Sequence, residues 1–156
     1  MTISIKHEFF HDDTEMREYL KNAKRKILSS TFSEKEIEGR KFRSFLINIL
    51  NSEFKNEEFY LFNSDTALII QVSHPGSAYS ELLNVLLAKK KGEIKRCIFI
   101  TQTHELAVIR HQIRNPDSTN DGNRVHFNLI TNKIKDYAEY FFDMPIGILG
   151  IGFSNK

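Results

Sequence analysis

One stretch decides the fold class: Ile94-Lys95-Arg96-Cys97-Ile98-Phe99-Ile100-Thr101. Its apolar part predicts a strand buried on both faces, and strands of this kind lie in the middle of a partly parallel sheet. Helical patterns stand on both sides of this stretch, and further strands are predicted beyond them. This order of helices and strands predicts a layered α/β fold around one mixed sheet.

A hairpin is predicted upstream of this stretch. Residues 58–62 and 66–72 are rich in aromatic and β-branched side chains, and Asn63-Ser64-Asp65 between them favours a tight turn. A helix capped by Ser77 or Ser80 is predicted to follow the hairpin. Strand, helix and buried strand in this order fit a partly parallel sheet.

The rest of the chain also divides into helical and extended patterns. Ser33 and Glu36 form a capping box, and apolar side chains recur at helical spacing in several segments. The repeated Gly residues of the last strand would let a neighbouring element approach closely. The remaining predicted elements are an edge strand in 3–11, helices in 14–28, 33–50, 104–113 and 129–142, and a final strand in 146–152.

The length of 156 residues indicates one domain, because domains usually run to about 100–150 residues. We expect a single domain over 1–156, with a mainly helical N-terminal part in 1–55 and the core in 56–156. The formal net charge is only +2. Local patches rather than net charge attract phosphates, so this charge does not by itself indicate nucleic-acid binding.

The cysteine count and the N-terminus indicate the compartment. Cys97 is the single cysteine, which excludes a disulfide framework and a thiol-rich metal site. The N-terminus lacks the apolar region of a signal peptide, and no segment approaches the roughly 20 apolar residues of a membrane span. We therefore expect a cytoplasmic protein that does not contact a membrane.

Three segments carry a family resemblance: Asp65-Thr66-Ala67-Leu68-Ile69-Ile70-Gln71, Ala88-Lys89-Lys90-Lys91-Gly92-Glu93-Ile94 and Arg96-Cys97-Ile98-Phe99-Ile100-Thr101. In this order they resemble the core of the PD-(D/E)xK type II restriction endonucleases, in particular the BglII and BstYI-like subgroup. The predicted last strand also resembles this subgroup's final core strand, so the similarity spans 59–152. It implies a three-layer restriction-endonuclease-like core, in which helices flank a central mixed sheet.

The resemblance also implies an active site. Cleavage of a phosphodiester in this family uses Mg²⁺ held by two carboxylates, which polarises the phosphate and activates a water. By position, Asp65 corresponds to the first carboxylate and Gln71 to the residue that orients the water, while Ile69 stands at the second carboxylate. Glu81, early on the following helix, is the alternative second carboxylate. The expected catalytic residues are Asp65, Gln71 and Glu81, and the expected Mg²⁺ ligands are Asp65 and Glu81.

Basic side chains bracket a long polar loop in 115–123. Such side chains beside a loop would suit contacts with phosphates and guanine edges, although an ordinary solvated loop explains the same pattern. The charged side of the helix in 33–50, which includes Arg40 and Arg43, is typical of a solvated face, and contact with phosphates is the alternative interpretation. The candidate DNA-binding residues are Arg110, His111, Arg114, Arg124 and His126.

Three hypotheses about function follow. The first is a DNA-associated protein that is catalytically impaired or inactive, because Ile69 replaces a carboxylate. In keeping with the resemblance it would be a homodimer, and without activity it would need no cofactor. The second is an active Mg²⁺-dependent endodeoxyribonuclease that uses Glu81. The third is a non-enzymatic regulatory protein in a phage-defence setting, which binds another protein. Salt-dependent DNA binding distinguishes the third hypothesis from the first two, because contacts with phosphates weaken steeply as salt rises.

Overall fold

The computed structural model has the predicted α/β fold and describes residues 2–50, 55–56, 61–63, 65–120, 122–138 and 143–154. The strands are β1 (Thr2–Phe10), β2 (Lys55–Asn56), β3 (Leu61–Asn63), β4 (Thr66–Ile70), β5 (Arg96–Gln102) and β6 (Ile146–Ser154). The helices are α1 (Thr14–Leu28), α2 (Glu34–Ile37), α3 (Lys41–Leu50), α4 (Pro75–Lys90), α5 (His104–Arg114) and α6 (Phe127–Ala138). In this part of the chain, no helix is both long and apolar enough to cross a membrane.

The strands form one mixed sheet in the order β1-β6-β5-β4-β3-β2. β5 lies between β4 and β6 and runs parallel to both. β1 pairs antiparallel with β6 at one edge, and β3 and β2 continue antiparallel beyond β4. Every residue of β5 is buried. The central buried strand and the N-terminal edge strand predicted from the sequence are therefore confirmed.

Helices cover both faces of the sheet. Ala67 and Ile69 of β4 belong to an apolar cluster that also contains side chains of α4 and α6. Leu68 and Ile70 belong to a second cluster with side chains of α1, α3 and α5. Successive residues of a strand point to opposite faces, so the two clusters lie on opposite sides of the sheet. The fold has the three layers that the resemblance implies.

The helix predicted in 33–50 is two helices, which separate at Gly39. Gly39 has a left-handed φ of +55°, a conformation that Gly adopts without the steric cost of a side chain. The guanidinium of Arg114 also occupies the space that a Cβ at this position would fill. The predicted capping box of Ser33 and Glu36 is present at the start of α2.

α4 begins earlier than the predicted caps Ser77 and Ser80. Its N-cap is His74, whose Nδ1 accepts a hydrogen bond from the N–H of Gly76 at 3.1 Å. Pro75 occupies the first turn, where its fixed φ suits the helix and its missing N–H costs nothing. The prediction was wrong because it considered only hydroxyl caps, whereas an unprotonated ring nitrogen accepts the same hydrogen bond.

The predicted hairpin is present in the described residues. β3 pairs antiparallel with β4, with Leu61 opposite Leu68 and Asn63 opposite Thr66. Residues 58–60 and 64 of the predicted hairpin lie outside the described residues, as do residues 139–142 of the last predicted helix.

Glycines in β6 bring helices close to the sheet, as the sequence predicts. A Cβ at Gly150 would lie only 2.8 Å from the Cβ of Phe127 on α6. A Cβ at Gly147 would collide with the side chain of Leu20 on α1. Larger residues at either position would push a helix away from the sheet.

Candidate functional site

The parallel strands β4, β5 and β6 end at the same side of the sheet, and we call the part of this side after β4 and β5 the carboxyl edge. It consists of residues 71–74 after β4 and Thr103 after β5, and both α4 and α5 begin there. Ligands of sheets with parallel strands usually bind outside this edge. The carboxyl edge is therefore the expected location of a functional site.

Gln71 and Glu81 meet at the carboxyl edge. Gln71 is 4% and Glu81 5% exposed, and the Nε2 of Gln71 donates a hydrogen bond to Oε2 of Glu81 at 3.4 Å. The backbone N–H of Ser73 donates to Oε1 of Gln71 at 3.0 Å. This N–H needs an acceptor, so it turns the amide oxygen of Gln71 toward itself and leaves the NH₂ group for Glu81.

The Glu81 carboxyl is held in an unusual electrostatic environment. Burial raises its pKa to about 7, while the charge of Arg43 and the hydrogen bond from Gln71 act in the opposite direction. Desolvation disfavours the charged form, and here it outweighs both favourable contacts. Glu81 therefore changes charge near neutral pH, a property frequent among functional carboxyls.

Asp65 does not join this pair. It stands at the other end of β4, where its carboxylate accepts a hydrogen bond from Nη1 of Arg96 at 2.7 Å and pairs with Lys95 at 3.5 Å. Six residues of extended chain separate Asp65 from Gln71, which corresponds to roughly 20 Å. The prediction that Asp65 shares a pocket with Gln71 and a metal ion with Glu81 was wrong, because the turn and the carboxyl edge lie at opposite ends of the strand.

Arg96 explains why Asp65 is an ion-pair partner. The Arg96 side chain is 8% exposed and also pairs with Asp13 at 3.2 Å and with Glu15 at 3.0 Å. A cation taken this far out of water needs carboxylates around it. Asp65 therefore belongs to a structural cluster that fastens the start of α1 to the start of β5.

Ile69, at the position of the second family carboxylate, is buried. Its side chain is fully covered in the cluster that includes Leu82 and Val85 of α4. It shares a face of β4 with Gln71, because the two residues are two positions apart on a strand. The position thus faces the same helix as the candidate site, but it carries no ligand atom.

The side chains at this edge do not fit Mg²⁺. The ion prefers an octahedron of oxygens that includes carboxylates. Gln71 presents its NH₂ group to Glu81 and its oxygen to Ser73. Among the described residues, no three His, Cys, Asp or Glu side chains form a cluster that could hold a metal ion.

Arg110, a predicted DNA contact, is a core residue. It is 1% exposed and donates to Oε1 of Gln102 and to three backbone carbonyls in two other segments. These carbonyls belong to Ile37, Gly39 and Val72. The prediction of a DNA contact was wrong, because every bonded nitrogen of this guanidinium is directed at the protein interior.

Four arginines line a cleft beside the carboxyl edge, which we call the arginine cleft: Arg40, Arg43, Arg114 and Arg124. Its volume is about 410 Å³, and Ser44, Ser73, Gly39 and Val72 complete the lining. Arg43 is fixed by a hydrogen bond from its Nε to the carbonyl of Ile70 at 2.9 Å. Arginine side chains that several segments contribute to one cleft are suited to bind anions.

The sequence pointed to only half of this cleft. Arg114 and Arg124 were predicted to contact DNA, whereas Arg40 and Arg43 were interpreted as a solvated face. Arg40 and Arg43 are three positions apart in a segment predicted as one helix, where this spacing would put them on the same side, and the sequence therefore contained a signal for a shared site. What the sequence could not show is that the break at Gly39 brings them opposite Arg114.

The two predicted histidines lie beside the polar loop and are not among the lining residues of the cleft. The His111 ring packs against Gly122, which has a left-handed φ of +62°. Nδ1 of His126 accepts a hydrogen bond from the N–H of Leu129 at 3.5 Å, and its ring contacts that of His104. Their role in binding stays a prediction.

Comparison with known proteins identifies the fold. No family model matches the chain, and a search of curated proteins finds no relative. Among solved structures, the restriction endonuclease BglII, in complex with a DNA 16-mer, matches with a TM-score of 0.71 and 15% sequence identity. The match covers 98% of this chain and 80% of the BglII chain. The protein therefore has a restriction-endonuclease-like fold.

Proposed function

We propose that this protein binds DNA through the arginine cleft and that it is impaired or inactive as a nuclease. The observation that carries the proposal is the concentration of guanidinium groups in one cleft beside the carboxyl edge. BglII, which has a similar fold and was solved with bound DNA, supports the DNA-binding part of the proposal.

The cleft keeps its positive charge. Of the described carboxylates, none pairs with Arg40, Arg43 or Arg114. The Glu81 carboxyl attracts Arg43, but cations brought together in such excess destabilise a folded protein, and a bound polyanion relieves this repulsion. Phosphate groups of DNA are well suited, because each accepts the paired hydrogen bonds of a guanidinium fork.

The placement of the carboxyl groups supports the second part of the proposal, that catalysis is impaired. Phosphodiester cleavage by the two-carboxylate scheme needs hard ligands on both sides of the cation. Here one position is the buried Ile69, Asp65 lies at the far end of β4, and Glu81 has its pKa raised to about 7. A carboxyl that is partly protonated at neutral pH is a poor ligand for Mg²⁺.

The proposal is tested by fluorescence anisotropy with a labelled oligonucleotide. We expect Arg40→Gln/Arg114→Gln to weaken binding by about tenfold or more, because two phosphate contacts are lost. The control is Lys90→Gln/Lys135→Gln, which removes the same charge from exposed positions on helices of the other face. Equal affinity of the two double variants would place the DNA surface elsewhere.

Mg²⁺-dependent cleavage of DNA is the second candidate function. The contact between Gln71 and Glu81 supports this function, because the resemblance assigns the orientation of the water to Gln71 and the alternative second carboxylate to Glu81. Incubation of supercoiled plasmid with Mg²⁺ or Mn²⁺ tests it: cleavage that Glu81→Ala abolishes would establish it, and intact plasmid would exclude it. Homodimerisation, a protein partner and a phage-defence setting stay predictions.

A further inference from the structure

The arginine cleft does not have the shape of a protein surface that binds along the side of a DNA duplex. Arg40, Arg43 and Ser44 come from α3 and the turn before it, whereas Arg114 ends α5 and Arg124 follows the polar loop. These segments line one cleft of about 410 Å³. Pockets of roughly 300–1,000 Å³ usually hold small ligands, while specific duplex interfaces spread over about 1,000 Å² or more.

The donors in the cleft exceed what one internal phosphate needs. An internal phosphodiester carries one negative charge on two free oxygens. A terminal phosphate carries a charge of about −1.5 to −2 on three oxygens. Four arginines line the cleft, and among the described residues the hydrogen bond from Arg43 to the protein uses Nε, so that its Nη groups can serve a ligand.

A fifth cation, Arg110, is buried next to the cleft and is held in place by its hydrogen bonds. Arg110 is buried, stacks on the ring of Phe42 at 4.9 Å and donates to several carbonyls. Burial first, and then repulsion from Arg124 and Arg114, lower its pKa. The cations around the cleft are thus close enough to repel one another, and a ligand with more than one charge relieves this repulsion best.

We propose that the arginine cleft receives the terminal phosphate of a DNA strand, so that the protein recognises phosphorylated ends. This inference rests on the proposed DNA-binding function. A 5′-phosphate and a 3′-phosphate share the relevant chemistry, and the experiment separates them.

The experiment compares forms of one internally labelled single-stranded DNA by anisotropy at fixed salt. The forms carry a 5′-phosphate, a 3′-phosphate or only hydroxyl ends, and a circular form has no ends. We expect one phosphorylated form to bind at least about tenfold more tightly than the hydroxyl-ended and circular forms, because its terminal phosphate brings a charge of about −1.5 to −2 and three free oxygens into a cleft lined by arginines. Arg114→Gln/Arg124→Gln is expected to abolish this difference, and Lys90→Gln/Lys135→Gln to retain it.

The outcomes separate the two proposals. Equal affinity of the wild-type protein for phosphorylated, hydroxyl-ended and circular DNA overturns end recognition but leaves DNA binding intact. Absence of binding to every form overturns both. The wild-type comparison needs no variant, so the test holds even if the double variant fails to fold.

Discussion

Nε2 of Gln71 donates to Oε2 of Glu81 at 3.4 Å, and this contact joins the end of β4 to the first half of α4. The family resemblance assigns both residues to the active site, and the fold brings them together. The carboxyl is nevertheless buried without a cation within pairing distance among the described residues. Burial thus outweighs the favourable contacts of this carboxyl and raises its pKa to about 7.

Glu81 should make stability depend on pH. Its folded pKa of about 7 lies above its ordinary value of 4.5, so the folded state binds a proton that the unfolded state releases. The resulting stability is complete below the ordinary pKa and is lost as pH rises through the folded pKa. Between about pH 5 and pH 8, we expect this group to lower the free energy of unfolding by up to about 3 kcal/mol.

Urea unfolding of Glu81→Gln at both pH values checks this prediction. The variant cannot ionise, so its stability should fall less than that of the wild type over the same range. Glu93→Gln, which changes an exposed carboxyl after α4, is the control and should behave as the wild type does. Parallel pH profiles for wild type and Glu81→Gln would disprove the raised pKa.

Arg110→Met should destabilise the protein severely. The change leaves Oε1 of Gln102 and the carbonyls of Ile37, Gly39 and Val72 without this donor in the interior. Loss of a buried cation that satisfies several acceptors costs on the order of 3–5 kcal/mol. Arg114→Met, at an exposed position one turn later, is the matched change and should cost less than about 1 kcal/mol. Similar unfolding midpoints for the two variants would contradict a core role for Arg110.

Asp65→Asn should affect stability and leave DNA binding unchanged. It weakens the ion pairs with Arg96 and Lys95, which are partly screened by solvent, so we expect a loss of about 1 kcal/mol in unfolding. The residue lies at the far end of β4 from the arginine cleft. Anisotropy on the variant checks the second part, and an affinity loss equal to that of Arg40→Gln/Arg114→Gln would show that Asp65 belongs to the binding site after all.

Gly150→Ala should destabilise the fold by about 1–3 kcal/mol, because its methyl group would collide with Phe127. A smaller partner should relieve the clash. In a double-mutant cycle with Phe127→Ala, the cost of Gly150→Ala should therefore shrink, and the coupling between the two changes is the measured quantity. Additive costs would mean that the close approach of α6 to β6 is not what requires Gly.

Local patterns predicted most of the fold and little of the site. The buried strand β5, the helix in 14–28 and the final strand follow from apolar spacing, which directly reports burial. Arg110 is a residue whose burial local patterns could not predict. A charged residue beside a polar loop is expected to be exposed, but three distant carbonyls and Gln102 make the burial of Arg110 favourable. The prediction for Asp65 was wrong for a similar reason, because its partners Lys95 and Arg96 are far away in the chain and distance along β4 decides what it can reach.

The central claim is that guanidinium groups of the arginine cleft contact DNA phosphates, and the salt dependence of binding tests it most directly. The logarithm of the association constant should fall linearly with the logarithm of salt concentration, with a slope of about −0.7 to −0.9 for each phosphate contacted. We expect a slope of about −3 for the wild-type protein and a slope shallower by about 1.5 for Arg40→Gln/Arg114→Gln. A wild-type slope near zero, or the same slope in both proteins, would contradict the account.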